Sequence, residues 1–445
     1  MTEPARILIV GGGYVGMYAA LRLQRELRRH EALITVVDAD SYMTYQPFLP
    51  EAAAGNVEPR HVVVPLRRVL NRCRILNGWV VRVDPEARTV DLRPHGGPGR
   101  TLEYDLLVFA PGSVSRTLPI PGLAECGIGF KTLEEAIHLR NQVLSRLDLA
   151  DSTTDETVRA RALTFVFVGA GFAGVEALAE LEDMARGACA YYPTIEPGDM
   201  RWFLVEATDR ILPEVGPEMG RWTLEQLRGR GIDVRIRTRL RSAVDGHIVL
   251  DDGTEFDADT LVWTAGVRPH PLVRDSGLPI DDKGRVRATA ELTVEGFRDV
   301  FTAGDCAAVP DLTKPGEMCA PNAQHAVRQA RTLAANVAAT LRGRERRPYR
   351  HAYAGSVASL GLHQGVAQIY GHKLRGMPAW FMHRTYHLSR VPTLNKKVRV
   401  LIDWTLSLFF RREIVSLGQL SQPRKEFERA ARADREDRAE RAILG

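Results

Sequence analysis

The feature that most constrains the fold is a unit of strand, glycine loop, helix and strand that occurs twice along the chain. In the first copy, the apolar stretch RILIV runs into the loop GGGYVG, a helical pattern follows, and a second apolar stretch ends on Asp38. In the second copy, LTFVFV runs into GAGFAG, a helical pattern follows, and RWFLVE ends on Glu206. Both loops have the spacing G-x-G-x-x-G between a predicted strand and a predicted helix. This repetition predicts two copies of one α/β unit in a single chain.

The glycine spacing predicts a dinucleotide site in each copy. The first glycine allows the tight turn after the strand, the second lets the backbone approach a pyrophosphate, and the third lets the helix pack closely on the strand. The phosphates then lie at the helix N-terminus, and the acid at the end of the second strand accepts hydrogen bonds from an adenosine ribose. A single loop of this kind is a weak signal, but two loops, each followed by an acid, are a specific one. The residues predicted to bind dinucleotides through these units are Gly11, Gly13, Tyr14, Val15, Gly16 and Asp38 in the first copy, and Gly169, Gly171, Phe172, Ala173, Gly174 and Glu206 in the second.

Each glycine unit is followed by a predicted β-meander. Residues 79–92 have the pattern of a hairpin, and YDLLVFAPG (104–112) supplies the strand that closes the first unit. Residues 233–266 repeat the same order of hairpin and closing strand in the second unit. The predicted fold class is therefore α/β, with two Rossmann-like dinucleotide-binding domains that carry β-meander inserts. The ends of the closing strands add to the predicted cofactor-binding residues Ala110, Gly112 and Gly266.

A further apolar strand ends in a glycine–acid pair and indicates which dinucleotide each unit binds. Residues 299–305 read DVFTAGD, and together with the two glycine units this arrangement resembles the two-dinucleotide flavoproteins that include the disulfide reductases. The resemblance implies that the first unit binds FAD, that the second binds NAD(P)H, and that Gly304 and Asp305 return to the flavin. The carboxylate of Glu206 favours NADH, because it accepts the ribose 2′-hydroxyl and repels a 2′-phosphate, although Arg210 lies close in sequence.

The cysteines restrict the electron acceptor. The chain has five cysteines, and no two are spaced as C-x-x-C or C-x-x-x-x-C. Scattered cysteines of this kind indicate reduced thiols in a cytoplasmic compartment, and nothing in the sequence predicts a metal site. The stretch that would carry the redox pair of a disulfide reductase reads YMTYQPFLPE (42–51), without a cysteine. Disulfide reduction is therefore not predicted.

Two further segments resemble the type II NADH dehydrogenases. Residues 46–50 (QPFLP) resemble the Q-P-L-L segment of that family, and residues 321–329 (PNAQHAVRQ) resemble its quinone motif, A-Q-x-A-x-Q. The match to the motif covers Ala323, Gln324 and the alanine two positions later. Arg328 stands where the motif has its last glutamine, and a glutamine follows one residue later.

This resemblance implies a function and further site residues. A type II NADH dehydrogenase oxidises NADH through FAD and reduces a membrane quinone without pumping protons. The implied roles are Gln324 as the residue that hydrogen-bonds a quinone carbonyl, and Glu176 or His325 as the residue that relays protons. Ala323 joins Gln324 among the implied cofactor-binding residues, and Lys131 resembles a lysine position of the family. The resemblance covers nearly the whole chain and also implies a homodimer.

The C-terminal region differs in composition from about residue 371 onward. Basic and aromatic residues dominate up to Arg412, and Asp403 is the only acid in this stretch. In VRVLIDWTLSLFFRR, polar residues recur every three or four positions, and most of the remaining circumference is apolar. We predict C-terminal amphipathic membrane-associating helices that lie in the interface of an anionic bilayer, with tryptophan and basic groups at headgroup level. The predicted polar stripe consists of Lys396, Arg399, Asp403, Ser407 and Arg411.

The predicted location is the cytoplasmic face of the plasma membrane, as a peripheral protein. The first residues run straight into a strand without an apolar leader, so no signal peptide is predicted. The amphipathic stretch is too short and too charged to span a bilayer, and the chain from RKEFE onward is predicted as a charged helical tail. The predicted division of the chain is 1–120 for the first part of the FAD-binding domain, 121–270 for the NADH-binding domain, 271–370 for the second part of the FAD-binding domain with the quinone motif, and 371–445 for the membrane-associating region and tail.

Three other functions remain open at this point. A soluble NAD(P)H-dependent reductase of a small iron–sulfur protein would use the same two cofactor sites, and so would a redox-sensing flavoprotein with slow turnover. A sulfide:quinone oxidoreductase needs a cysteine relay and lacks a working second nucleotide site, so the intact second glycine loop argues against it. The net charge of +5 is small for 445 residues and does not predict a nucleic-acid partner.

Overall fold

The computed structural model describes residues 3–352 and 355–416, and the elements in these ranges follow the duplicated pattern. Two large sheets form the two glycine units, and smaller sheets connect and extend them. The strands are β1 (Ala5–Val10), β2 (Ala32–Asp38), β3 (Tyr42–Thr44), β4 (Val63–Pro65), β5 (Arg74–Asp84), β6 (Thr89–Pro94), β7 (Arg100–Glu103), β8 (Leu106–Phe109), β9 (Ser113–Ser115), β10 (Gly127–Gly129), β11 (Thr164–Val168), β12 (Arg201–Glu206), β13 (Asp233–Ile236), β14 (Leu240–Ser242), β15 (His247–Leu250), β16 (Glu255–Asp257), β17 (Thr260–Trp263), β18 (Val267–Pro269), β19 (Val286–Arg287), β20 (Val300–Thr302), β21 (Ala307–Ala308), β22 (Gly355–Ser359), β23 (Gly365–Ile369) and β24 (His372–Arg375). The helices are α1 (Tyr14–Glu26), α2 (Leu49–Ala53), α3 (Leu66–Val69), α4 (Leu123–Cys126), α5 (Leu133–Ser152), α6 (Glu156–Ala162), α7 (Phe172–Ala188), α8 (Pro217–Gly229), α9 (Ala323–Leu341), α10 (Met377–Arg390) and α11 (Leu394–Phe409).

The first sheet has seven strands in the order β20-β8-β1-β2-β5-β6-β7. The five strands from β20 to β5 run parallel, and β6 and β7 continue the sheet antiparallel, so the predicted meander extends the Rossmann sheet. All four side chains of β8 are buried, as expected for a parallel strand covered on both faces. Because parallel strands end at the same edge, the loops that follow β1, β8 and β20 meet there.

The second sheet repeats the central arrangement of the first. Its order is β10-β17-β11-β12-β13, with all strands parallel, so β11 lies between β17 and β12 as β1 lies between β8 and β2. The meander of this unit forms a separate antiparallel sheet, β14-β15-β16. The predicted α/β fold with two Rossmann-like units is confirmed. Helix α7 is buried along almost its whole length, including three acidic side chains, Glu176, Glu180 and Glu182.

The C-terminal part consists of the antiparallel sheet β22-β23-β24 followed by α10 and α11. Two residues of the predicted polar stripe face the protein: Lys396 Nζ donates to a backbone carbonyl, and Asp403 pairs with His61. Trp404 is buried, so the prediction that tryptophan lies at headgroup level is wrong for this residue. The outward face of α11 is apolar instead, because the residues between the stripe positions lie on the solvent side.

No helix in the ranges 3–352 and 355–416 combines the length and apolar character needed to cross a membrane. Arg411, predicted as the end of the polar stripe, lies beyond the end of α11 at Phe409. The charged tail predicted from RKEFE onward lies outside the described residues.

Candidate functional site

The first glycine loop is built so that backbone approaches backbone at two of its glycines. Gly11 has φ +98°, and a Cβ there would lie 2.2 Å from the carbonyl oxygen of Ala110. A Cβ at Gly16 would lie 1.7 Å from the carbonyl oxygen of Gly11. Both distances are far shorter than van der Waals contact, so only glycine fits. At Gly13, by contrast, a Cβ would meet no described atom within 4 Å, so this glycine borders open space.

The second loop has the same construction. Gly169 has φ +105°, and a Cβ there would lie 2.6 Å from the carbonyl carbon of Thr264. A Cβ at Gly174 would lie 1.9 Å from the carbonyl oxygen of Gly169. Gly171 borders open space, since the nearest described atom to its Cβ position, on the Glu214 carboxylate, is 3.8 Å away. The middle glycine of each loop therefore leaves room for a ligand.

The acid at the end of the second strand of each unit accepts hydrogen bonds from the backbone of the glycine loop, in the same way in both units. Asp38 accepts from the backbone N–H of Gly12 and, at 2.7 Å, from that of Asp40. Glu206 accepts from Ala170 N at 2.7 Å and from the N–H two residues after itself at 2.8 Å. Burial raises the pKa of Asp38, although the two backbone donors oppose that shift. This shared pair of hydrogen bonds fixes each acid at its loop, where the sequence predicts a ribose.

The N-termini of α1 and α7 fit the phosphates of two dinucleotides. Their N-cap residues are Gly13 and Gly171, which have no side chain, so the first-turn N–H groups keep their capacity to bind an anion. The predicted residues Tyr14, Val15, Phe172 and Ala173 form the first turns of these helices. The residues present therefore fit FAD and NADH.

The Gly304–Asp305 turn lies beside the first loop, as predicted. A Cβ at Gly304 would lie 2.7 Å from a methyl group of Val15, and its φ is +78°. Ser113 Oγ donates to Asp305 at 2.6 Å, and Lys131 Nζ donates to Ser113 Oγ at 2.8 Å. Burial lowers the pKa of Lys131, and the Asp305 carboxylate opposes that shift. The structure thus brings the ends of β8 and β20 together with a lysine from the start of the second unit.

Gln329 also binds this turn, a role that the sequence analysis did not predict. Its Oε1 accepts from Gly304 N at 2.8 Å, and the side chain is buried. A signal existed, because Ala326, Gln329 and Ala330 share one helical face of α9. The departure from the quinone motif therefore places a structural glutamine one residue after Arg328.

The start of α9 holds Gln324 and His325 in separate contacts. Gln324 Nε2 donates to the carbonyl of Gly355 at 3.2 Å, and its Oε1 lies 3.1 Å from His351 Nε2. His325 is buried, its Nδ1 lies 2.9 Å from the Tyr349 hydroxyl, and burial lowers the pKa of this histidine. Burial thus disfavours a charge on His325, whose ring contacts Tyr349.

Glu176 is buried rather than solvated. Ser359 N donates to its carboxylate at 2.8 Å, and His383 Nε2 lies 3.1 Å from the same oxygen. Burial opposes a charge on His383, but the carboxylate of Glu176, together with the charges of Glu51 and Glu180, outweighs it and raises the pKa of His383. One turn later, Glu180 accepts from Asn56 and Ser359, and burial raises the pKa of Glu180 to about 7. The sequence analysis singled out Glu176 but not the partners that reach it from β22 and α10.

A second buried cluster joins the QPFLPE segment to the C-terminal helices, and the sequence analysis missed it. Glu51 is 1% exposed and accepts from Trp404 Nε1, and Arg384 lies 3.4 Å from the same carboxylate oxygen. Phe48 packs edge-on against Trp404, with ring centroids 5.6 Å apart. The Tyr45 hydroxyl donates to the carbonyl of a histidine on α10 at 3.1 Å. In the sequence, the only indication of this cluster was a glutamate, Glu51, inside an apolar stretch.

The chain matches the model of the pyridine nucleotide-disulphide oxidoreductase family over residues 5–330 and belongs to that family. It is 30% identical over 424 residues to the type II NADH:quinone oxidoreductase NdhA of Mycobacterium tuberculosis, a match that covers 91% of this chain and 87% of that relative. It is 29% identical over 385 residues to the type II NADH:quinone oxidoreductase of Staphylococcus aureus, which covers 85% of this chain and 93% of the relative. Within the larger family the chain is therefore a member of the type II NADH:quinone oxidoreductases.

Solved structures share the fold. NDH2 from Plasmodium falciparum in complex with NADH superposes with a TM-score of 0.84 at 18% identity, covering 93% of this chain and 100% of that one. A ferredoxin reductase from Rhodopseudomonas palustris superposes with a TM-score of 0.66 at 22% identity, covering 82% of each chain.

Proposed function

We propose that this protein oxidises NADH and passes the electrons to a membrane quinone, without proton pumping, with FAD in the first glycine unit and NADH in the second. The observation that carries the proposal is the pair of dinucleotide sites. The two glycine loops have the same construction, and each is hydrogen-bonded to the acid of its unit. When bound, FAD supplies the two-electron chemistry that links a hydride donor to a quinone acceptor. The membership in the type II NADH:quinone oxidoreductases supports the same reaction.

On the donor side, the second unit binds and orients NADH. The first-turn N–H groups of α7 receive the pyrophosphate, and Gly171 gives the backbone room to approach it. The Glu206 carboxylate receives the ribose hydroxyls. Gly266, at the end of the strand that closes the unit, has φ +95° and no described atom near its Cβ position, so it borders the same open side.

On the acceptor side, Gln324 orients the quinone through a hydrogen bond to one carbonyl. Its contacts to Gly355 and His351 fix the rotamer of the amide. Glu176 is the proposed proton relay, because its carboxylate is buried and paired with a histidine. His325 is the second candidate, through its contact with Tyr349.

The apolar face of α10 and α11 is the proposed membrane-binding side of the protein. A set of large apolar side chains on these helices and just after them is 46–78% exposed, which is unusual for a surface that only water covers. Such a face can lie in the boundary of headgroups and acyl chains. Its members are Met377, Phe381, Leu394, Val398, Leu401, Ile402, Leu406, Leu408, Phe409 and Phe410.

We further propose a peripheral attachment to the cytoplasmic face of the plasma membrane and a homodimer. The contact of Phe48 with Trp404 supports a quinone path near the apolar face of α10 and α11, because it joins the QPFLPE segment to these helices. The division into 1–120, 121–270, 271–370 and 371–445 is the domain organisation that we propose with this function.

The test of the function is NADH oxidation by the purified, FAD-loaded protein with and without a short-chain quinone. We expect turnover that needs both NADH and the quinone, with NADPH a much poorer donor. Flavin reduction by NADH without reoxidation by quinone would contradict the proposal and favour a sensor or a reductase of a protein acceptor. The ferredoxin reductase fold makes the latter the second candidate, and rapid turnover with a small iron–sulfur protein in place of quinone would support it.

The choice of NADH over NADPH should depend on the charge of Glu206. We expect Glu206→Gln to raise kcat/KM for NADPH roughly tenfold and to lower it for NADH, because the repulsion of the 2′-phosphate disappears. The measurement is the ratio of kcat/KM for the two donors. The matched control is Glu225→Gln, on the exposed side of α8, which should leave the ratio unchanged. An unchanged ratio in Glu206→Gln would show that another residue selects the donor.

A further inference from the structure

A groove lies between α1 and α9, away from both glycine loops. Its volume is about 430 Å³, which is within the range of roughly 300–1,000 Å³ that is typical of ligand pockets. The two helices pack against each other, and the groove lies on their shared surface. The residues that line this α1/α9 groove are Tyr18, Leu21, Arg22, Arg25, Glu26 and Arg331.

The charge of the groove is positive and largely uncompensated. Glu26 is its only acid, and that carboxylate pairs with Arg22 at 3.4 Å. Within residues 3–352 and 355–416, neither Arg25 nor Arg331 forms an ion pair with a carboxylate. Two guanidinium groups, one from each helix, are therefore available to one anion.

The floor of the groove connects it to the C-terminal helices. The Tyr18 hydroxyl donates to the backbone carbonyl of Arg390, the last residue of α10, at 3.2 Å. Burial raises the pKa of Tyr18 to about 12, while the charges of Arg331 and Arg390 act in the opposite direction, so both guanidinium groups lie near the phenol. Leu394 lies four residues beyond Arg390, is 77% exposed, and begins the apolar face of α11.

This juxtaposition has the chemistry of a phospholipid contact. An apolar face receives acyl chains, and arginines at its border receive phosphate through paired N–H donors. We propose that the α1/α9 groove binds the phosphate of an anionic phospholipid when the apolar face of α10 and α11 lies on a membrane. The inference rests on the membrane attachment proposed above and adds a specific headgroup site to it.

The test removes the two unpaired cations and replaces each guanidinium with a shorter, neutral amide. We expect Arg25→Gln/Arg331→Gln to weaken binding to phosphatidylcholine vesicles that contain phosphatidylglycerol by roughly tenfold or more, and to leave binding to pure phosphatidylcholine vesicles unchanged. The measurement is the fraction of full-length protein that sediments with vesicles across a lipid titration. Turnover with a water-soluble quinone should stay at the wild-type level, because neither arginine contacts the glycine loops.

The matched control separates a site from general surface charge. Arg28→Gln/Arg29→Gln removes two exposed arginines just beyond the end of α1, outside the groove, and should weaken binding far less. Equal losses in the two double variants would overturn the proposal, because the groove would then act only through diffuse charge.

Soluble probes identify the source of the phosphate. Short-chain phosphatidylglycerol below its micelle concentration should bind saturably to the wild type and not to Arg25→Gln/Arg331→Gln. Inorganic phosphate that binds as tightly as the lipid would overturn the lipid assignment. If the wild-type protein bound neither kind of vesicle, the proposed membrane attachment would be wrong as well. If Arg25→Gln/Arg331→Gln bound vesicles as tightly as the wild type, only the proposed lipid site in the groove would be wrong.

Discussion

Replacing Gly174 with alanine should lower the rate of flavin reduction by NADH at least roughly a hundredfold, while FAD stays bound. The added Cβ would lie 1.9 Å from the carbonyl oxygen of Gly169, so α7 must move away from the loop that positions the pyrophosphate. A shift of about 1 Å in a bound reactant is enough for a loss of this size. The first unit has its own loop and acid, so its FAD absorbance should be retained. The measurement is single-turnover flavin reduction across a range of NADH concentrations.

Helix α7 contains the matched control. Gly187→Ala adds the same methyl group to the same helix, but no described atom lies within 4 Å of its Cβ position. This variant should bind and oxidise NADH as the wild type does. If Gly174→Ala reduced its flavin as fast as Gly187→Ala, the second loop would not be the nicotinamide-dinucleotide site.

The second large effect concerns stability. We expect Arg384→Met to destabilise the fold by about 3–5 kcal/mol, because it removes the cation next to the buried carboxylate of Glu51. The guanidinium also lies over two indole rings, 4.1 Å from the centroid of Trp380 and 4.8 Å from that of Trp404. Methionine keeps much of the volume but none of the charge. The apparent unfolding temperature of the FAD-loaded protein should fall by roughly 5 °C.

A double variant and a surface control decide whether the buried pair is the cause. Arg399→Met, at an exposed position of α11, should change the unfolding temperature little. Glu51→Gln added to Arg384→Met should recover part of the loss, because no unpaired charge remains buried. An Arg384→Met protein as stable as Arg399→Met would mean that Glu51 is satisfied by Trp404 alone.

Local patterns in the sequence predicted both glycine units because each unit is a continuous segment. A strand, a loop and a helix in succession fix the positions of Gly11 and Gly16, or of Gly169 and Gly174, without any distant contact. The sequence analysis did not predict the order of the strands within the two sheets. The acid of each unit was predicted as a ribose ligand, but its hydrogen bonds to the loop depend on three-dimensional proximity and were not predicted.

The partners of the buried acids were missed for the same reason. Glu176 and Glu51 meet side chains that come from more than 180 residues away in the chain, and no periodicity encodes such a pairing. The sequence analysis placed the tryptophan and basic groups of α11 at headgroup level, but Trp404 is buried. Lys396 and Asp403 find partners on the protein, and the apolar side of the helix lies outward.

In the proposed membrane attachment, the orientation of α11 determines how the protein meets a bilayer. Thr393 caps the helix, and hydrogen bonds from the polar stripe hold the helix against the body of the protein before any lipid is present. A segment that folds only on contact loses chain entropy on arrival, whereas this helix arrives already ordered. In that proposed attachment, the angle between the bilayer and the two glycine loops is therefore set before contact, and the same side of the protein faces the lipid each time.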